Sequence, residues 1–289
     1  MKTLIKNGLL IDSANQVQAY LNLILEDGKV VAVTEEEPEA DRVIDATGKV
    51  VAPGFIDIHM HEDPVKDGKI EFCIFDAMLR MGATTAVGGN CGINVYDPVK
   101  YLDMVEKDGA PVNVMLFAGH QYFREAAGAL DKYAPVTKEQ QEHMKKGLEK
   151  ALEAGCVGIS YGLRYVPGTG RDEFLDTASC CEKEHRMISA HVRDDEDRVF
   201  GAVAEVAEAG KLYNIPVQVS HIGSMAGFGQ MKQLLRQVDG YRMNGIDVAC
   251  DCYPYFAFST RIGATTYDDG WLERYHCDYS ACQLTEGKY

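Results

Sequence analysis

Five metal-competent side chains, four histidines and a cysteine, are spread through this 289-residue chain. His59 and His61 lie in PGFIDIHMHEDP, Cys91 in AVGGNCGI, His191 at the end of MISAH and His221 at the end of VQVSH. Imidazole nitrogen and thiolate sulfur are ligands that suit zinc among the divalent ions. The His59–His61 pair is a weak signal alone. In an extended strand it shares a face with Asp57, while Ile56, Ile58 and Met60 take the other face. Cys91, His191 and His221 would each, singly, suit an ordinary core. Their recurrence at equivalent points is what argues for a metal.

Those points are strand ends. Apolar runs place strands at 55–60, 84–89, 112–118, 156–161, 187–192, 215–221 and 246–251. A polar residue closes each: His59 and His61, Cys91, His120, Ser160, His191, His221 and Asp251. Apart from the fourth step, successive members lie roughly thirty residues apart, about one βα unit. Between the strands, TKEQQEHMKKGLEKALEAG offers a capping box from Thr137 to Gln140. It also has an apolar face of Met144, Leu148, Ala151 and Leu152, and a C-terminal stop at Gly155. Val199, Val203 and Val206 repeat the pattern in EDRVFGAVAEVAEAGKLYN. Strands apolar on both faces and separated by helices imply a parallel sheet, either doubly wound or barrel-like. An open sheet spreads its strand ends at ~4.8 Å per strand, whereas a barrel points them at one centre. The recurring ligands therefore favour an α/β fold of the TIM-like (β/α)8 type, incomplete by its last strand, over residues 53–289.

Residues 1–52 read differently. Short strands in TLIKNGLLID, AYLNLILEDGKVVAV and RVIDATGKVV, with Asn7-Gly8 and Asp27-Gly28 as hairpin turns, predict a small β portion. A net charge of −15 argues against nucleic acid or an anionic membrane as partner. No apolar run approaches the ~20 residues that span a bilayer. Nine scattered cysteines without an apolar leader predict free thiols and a cytoplasmic setting. GGNCG, PGTGRD and AGFGQM lack the spacing of a dinucleotide loop and read as tight turns. His143 and His185 fall on helical stretches and read as surface residues; His276 lies in a polar stretch.

Taken together, VAPGFIDIHMHED, TTAVGGNCGI, GISYGLRYVPG, ISAHVRDD, QVSHIG and DCYPYFAFST resemble the N-acyl-D-amino-acid deacylases (D-aminoacylases) of the amidohydrolase superfamily. The resemblance runs from the first residues to about Ser259. It implies a metal-dependent barrel with a β-sandwich built from both chain ends, hydrolysing the amide of a small-molecule N-acyl-D-amino acid. It further implies that Cys91, His191 and His221 hold a tight zinc, and that His59 and His61, with Cys91 bridging, form a weaker second metal site. Tyr253 and Ser259 match positions used around the substrate carboxylate. Arg193, two residues beyond His191, is a further candidate for meeting a carboxylate; Tyr161 and Arg164 are weaker ones.

Two departures from the family pattern shape the expectation. Gly223 stands where the family carries a lysine, which bears on side-chain preference. The family's catalytic aspartate and carboxylate-binding arginine, at the end of an eighth strand, have no counterpart before Tyr289, so the chain reads as a truncated member that binds zinc and turns over poorly. Asp251 is the first carboxylate to examine as a substitute, against a structural role beneath the site. The alternatives are a cyclic amide hydrolase, disfavoured because CVGISYGL offers no lysine to bridge two metals, and a metal-binding paralogue without activity.

Overall fold

The structure is a computed structural model that describes residues 1–227 and 229–284. Phe228, inside the AGFGQM turn, and residues 285–289 lie outside the described residues. The chain divides into two compact units, Met1–Phe55 and Ile56–Tyr289.

The first unit holds strands β1 (Lys2–Lys6), β2 (Leu9–Asp12), β3 (Val17–Tyr20), β4 (Asn22–Glu26), β5 (Lys29–Thr34), β6 (Arg42–Asp45) and β7 (Val50–Val51). They form a four-stranded sheet ordered β5-β4-β1-β6 and a three-stranded sheet ordered β3-β2-β7. Asp27-Gly28 makes the expected hairpin, both residues left-handed between antiparallel β4 and β5. Asn7-Gly8 does not. β1 pairs with β4 and β6, and β2 with β3 and β7, so this turn passes the chain from one sheet to the other. The flanking backbone groups are already taken: Ala46 N donates to Lys6 O, and Leu9 N to Lys49 O. Gly8 is needed because a Cβ there would sit 2.6 Å from Val51 Cγ2.

The second unit takes up the chain within β8 (Phe55–Asp57), which is followed by a short ladder of β9 (Val65–Lys66) and β10 (Lys69–Ile70). Then come β11 (Ala83–Gly88), β12 (Asn113–Gly119), β13 (Gly158–Gly162), β14 (Met187–His191), β15 (Val217–Val219) and β16 (Val248–Cys250). The helices are α1 (Ile74–Arg80), α2 (Pro98–Asp108), α3 (His120–Ala126), α4 (Lys138–Glu153), α5 (Arg171–Ala178), α6 (Val199–Tyr213), α7 (Ile222–Met225), α8 (Met231–Met243) and α9 (Trp271–Arg274). Seven strands form one sheet in the order β16-β15-β14-β13-β12-β11-β8, and β11 to β16 run parallel. Within it each strand pairs with the next one along the chain, β9 and β10 aside, which excludes the doubly wound alternative, whose strand order reverses at a switch point.

The helices form for the reasons their sequences give. Thr137 Oγ1 accepts from Gln140 N at 3.2 Å while Gln140 Oε1 accepts from Thr137 N at 2.9 Å, closing the capping box of α4. Met144, Leu148, Ala151 and Leu152 of α4 and Val199, Val203 and Val206 of α6 are all buried. Leu148, Ala151, Leu152 and the three valines join Ile159, Ile188, Val217 and Val248 of the strands in one core. Residues 158–162 of β13 are buried without exception, as a sheet covered on both faces requires. β8 stops at Asp57, earlier than its apolar run suggests. Asp57 Oδ1 accepts from His59 N at 3.0 Å, an Asx-type turn that takes the chain out of the extended conformation. His59 and His61 therefore lie beyond the strand, not along its face.

Candidate metal centre

The strand ends converge. His191 is the last residue of β14, His221 follows β15, His59 follows β8, and Cys91 sits in a one-turn 3-10 helix, Asn90–Gly92, after β11. Their ligand atoms form two groups, each within 4.8 Å: His59, His61 and Cys91, and Cys91, His191 and His221. Cys91 belongs to both. Its Sγ lies 3.5 Å from His59 Nε2 and 3.6 Å from His221 Nε2. A tetrahedral zinc with ordinary Zn–S and Zn–N bond lengths separates sulfur from nitrogen by about 3.5 Å, so the donors stand at the edges of a metal-sized polyhedron.

Three further observations fit a metal. Nδ1 of His191 is buried and has no hydrogen-bond partner among the described residues, an arrangement that wants an electrophile. Two other ring nitrogens are occupied from behind: Nδ1 of His59 faces Asp251 Oδ2 at 3.3 Å, and Nδ1 of His221 faces Ser224 Oγ at 3.0 Å. Each Nε2 is thereby left for the Cys91 side, as ligand histidines are usually oriented. Asp251 also accepts from His221 N at 2.6 Å and Gln218 Nε2 at 2.8 Å, so its carboxylate is an anchor beneath the histidines. Finally, Cys91 at φ 55° and His221 at φ 34° are both left-handed, a conformation that costs a non-glycine residue roughly 1–2 kcal/mol.

The charges agree with the geometry. Burial opposes ionisation of Cys91, but hydrogen bonds from the surrounding imidazoles, His191 foremost, override it and hold the thiol well below its usual range. Burial likewise opposes a charged His59, and the hydrogen bonds to Asp251 and Cys91 reverse that, lifting it to about 10. His191 is pushed down, chiefly by burial. Without metal the Cys91 thiolate is thus paired with a protonated His59, and a metal binding there would displace that proton.

A cleft of about 140 Å³ opens over these residues. Tyr253 and Ser259 line it, together with Tyr165, Ser224, Phe258, Thr260, Thr266, Tyr275 and Asp195.

Residues 42–162 match the amidohydrolase family. The chain is 31% identical over 283 residues to an N-acyl-D-glutamate deacylase of Alcaligenes xylosoxydans xylosoxydans, covering 89% of this chain and 57% of that protein. Among solved structures it resembles the N-acyl-D-glutamate deacylase of Bordetella bronchiseptica, complexed with zinc and a phosphonate mimic of the tetrahedral intermediate. The TM-score is 0.78 at 30% identity, covering 88% of this chain and 58% of that one. A D-aminoacylase structure concerned with a binuclear metal centre aligns at TM-score 0.78 and 25% identity, with the same coverages of 88% and 58%. The chain is thus similar to the N-acyl-D-amino-acid deacylases and, over residues 42–162, to the amidohydrolase family. It spans a little over half the length of the relatives it matches.

Several residues singled out from the sequence fall outside the cleft. Arg193 is the main correction: β14 ends at His191, so the alternation that would aim Arg193 inward no longer holds. Its guanidinium instead pairs with Glu205 of α6 at 2.8 Å and donates to Thr169 O at 2.7 Å. Tyr161 is fully buried and hydrogen-bonds Thr177 Oγ1; Arg164 lies 3.6 Å from Asp194. His120 is buried against Glu173, Ser160 Oγ accepts from Gly92 N behind the Cys91 turn, and His143 and His185 are exposed. β13 carries no lysine to bridge two metals. All nine cysteines are free. Among the described residues no helix is long and apolar enough to cross a membrane.

No pattern in the sequence pointed to Tyr275, whose Oη donates to Asp195 Oδ2 across 80 residues; Asp195 itself closes the block ISAHVRDD. Tyr165 could have been found, since it lies in the block GISYGLRYVPG.

Proposed function

We propose that this chain carries the zinc centre of an amidohydrolase that cleaves the amide bond of N-acyl-D-amino acids, giving a carboxylate and a D-amino acid. The observation that carries the reading is the single Cys91 Sγ shared by two His groups within 4.8 Å. The deacylase activities of its relatives, and their zinc and binuclear centres, support it. In this reading Cys91, His191 and His221 hold the tight zinc, and His59 and His61 share Cys91 with a weaker second ion. Residues 53–289 form seven strands of a (β/α)8-type barrel, and residues 1–52 contribute part of a small β-sandwich.

Zinc held there supplies Lewis acidity, polarising an amide carbonyl and making water ionise near neutral pH. The chain's own residues do the rest. The Cys91 thiolate and neutral imidazoles bring one net negative charge to the ion. Asp251 orients His59 through its ring and His221 through its backbone N–H, while Ser224 meets the His221 ring. Tyr253 and Ser259, in the cleft wall, offer hydroxyls to the substrate carboxylate. In the family pattern a carboxylate with a free oxygen near the metal takes the proton from water and returns it to the leaving amine. Asp251 is held by three donors, and Asp195 by Tyr275 and by Arg274 at 2.7 Å. Neither is placed for that role, so we expect metal binding with poor turnover.

Metal analysis of the purified chain, combined with release of free D-amino acid from N-acetyl-D-amino acids, N-acetyl-D-glutamate included, tests this. Zinc retained with slow release is the expected result. Rapid turnover would overturn the assignment of Asp251 and Asp195 as engaged groups, and a chain with no affinity for zinc would overturn the reading itself.

A further inference from the structure

Glu62 follows His61 directly and is 2% exposed. Its carboxylate reaches into the turn that carries Cys91. Oε2 accepts from Gly89 N at 2.7 Å, while Oε1 accepts from Val95 N and Asn94 Nδ2, both at 3.1 Å. A buried carboxylate satisfied by neutral donors is expensive to maintain, and it persists where the fold over-determines it.

The turn needs such a brace. Gly89, Cys91 and Gly92 have φ of 74°, 55° and 78°. Two of these are glycines, for which the left-handed region is open; Cys91 has no such freedom. Asn90 fills the inside of the turn, donating to Val87 O at 2.9 Å and accepting from Ser189 Oγ at 3.1 Å. Glu62 does something different: it grips the two ends, Gly89 and Val95. Because it is adjacent to His61, the stretch that supplies one pair of nitrogen donors also fixes the position of the shared sulfur.

The next residue provides a contrast. Asp63 is equally buried, yet its carboxylate accepts from the backbone N–H groups of Cys73, Ile74 and Phe75 at the start of α1. One carboxylate serves a helix terminus and its neighbour serves the Cys91 turn.

We propose that Glu62 is a positioning residue of the metal centre, locking the Gly89–Val95 turn so that Cys91 stays left-handed with its thiolate between the two histidine groups. This rests on the metal reading above, and the experiment separates the two. Cobalt(II) is titrated into the full chain after zinc removal, and the thiolate-to-cobalt charge-transfer absorption is followed beside thermal unfolding. Glu62→Gln keeps the shape but turns an NH2 toward a backbone N–H, so cobalt affinity should fall roughly 10- to 100-fold, the usual effect of losing an outer partner of a metal site. The absorption per bound cobalt should fall with it. Asp63→Asn should lower the unfolding temperature and leave both cobalt readouts at the wild-type level. Should Glu62→Gln fail to fold, Glu62→Asp, too short to grip both ends, should show the same loss. Wild-type cobalt affinity and absorption in a folded Glu62 variant would overturn the proposal, as would an equal loss in Asp63→Asn. A wild-type chain without the charge-transfer band would overturn the metal reading instead.

Discussion

Replacing Cys91 by glycine separates what the cysteine does for the metal from what it does to the fold. In the metal-free protein three effects compete. The left-handed backbone at φ 55° is relieved, a gain of roughly 1–2 kcal/mol. The unfolded chain becomes more flexible, a loss of about 0.4–1 kcal/mol. A thiol that is 3% exposed is deleted, a loss of about 1 kcal/mol for one buried methylene-sized group. The thiolate's hydrogen bonds to the imidazoles are lost as well, and Cys91→Ala loses them equally; against that reference the backbone terms nearly cancel, so without metal Cys91→Gly should lie within about 1 kcal/mol of Cys91→Ala. With metal the balance is different. At a hundredfold excess over Kd a bound ion stabilises the native state by about 2.7 kcal/mol, which for a unit of this size raises Tm by roughly 5–11 °C. Cys91→Gly removes the one donor common to both His groups and should abolish most of that rise. Thermal unfolding with and without zinc, on wild type and both variants side by side, measures both quantities. A variant that kept the full zinc-dependent rise would refute the role of the shared sulfur. A glycine variant about 3 kcal/mol or more less stable than Cys91→Ala without zinc would refute the claim that the backbone is strained there.

Four other perturbations test separate parts of the structure. Asp176 is held below the ordinary carboxylate range: burial opposes this, but hydrogen bonds from Lys145 at 2.7 Å and Gln141 at 2.7 Å prevail. Its contribution is therefore present above the unfolded pKa near ~3.9 and lost as pH falls through the lowered folded value. Asp176→Asn should cost about 0.2–1 kcal/mol at pH 7, the range for a partly exposed pair, and nothing below both values; a difference constant with pH would contradict this. Thr137→Ala breaks the capping box of α4 and should cost about 1 kcal/mol in denaturant unfolding; no measurable loss would show that the cap is redundant. Gly162→Ala would put a Cβ 2.3 Å from Cys91 O. It should lower zinc affinity at least about tenfold, and unchanged affinity in competition titration would show that the turn can move freely. Arg193→Ala removes the Glu205 pair and should leave binding of an N-acyl-D-amino acid unaltered in calorimetry; a large drop would return Arg193 to the substrate carboxylate.

What could be read from the sequence was whatever the sheet's periodicity fixes. Seven apolar runs became the seven strands of the sheet, because residues that must be buried on both faces advertise themselves regardless of context. The same regularity revealed Cys91, His191 and His221, since parallel strands in register deliver their ends to one side. Wherever the chain leaves the strand the inference weakens. Asp57 ends β8 before the histidines, Arg193 turns toward α6, and Asn7-Gly8 links two sheets instead of closing a hairpin. In each case a hydrogen-bond partner remote in sequence, or a side chain competing for a backbone N–H, outweighed the local pattern.

The surroundings of the proposed metal site lie almost wholly in that second category. Glu62 reads as one more carboxylate in an acidic chain until Gly89 and Val95, 27 and 33 residues away, are seen to need it. Asp195 and Tyr275 are linked over 80 residues with no periodicity between them. Ligands sit at strand ends because a metal needs several donors at one point, and a parallel sheet supplies such a point at little cost. The partners that orient those donors face no such restriction, since any loop that passes behind the site can provide a carboxylate or a hydroxyl. The strained residues mark the junction between the two regimes: Cys91 and His221, each left-handed just past its strand, are the places where the regular sheet is bent toward one centre. A backbone that has to be held out of its preferred region requires an outside brace, and for Cys91 that brace is the buried carboxylate of Glu62.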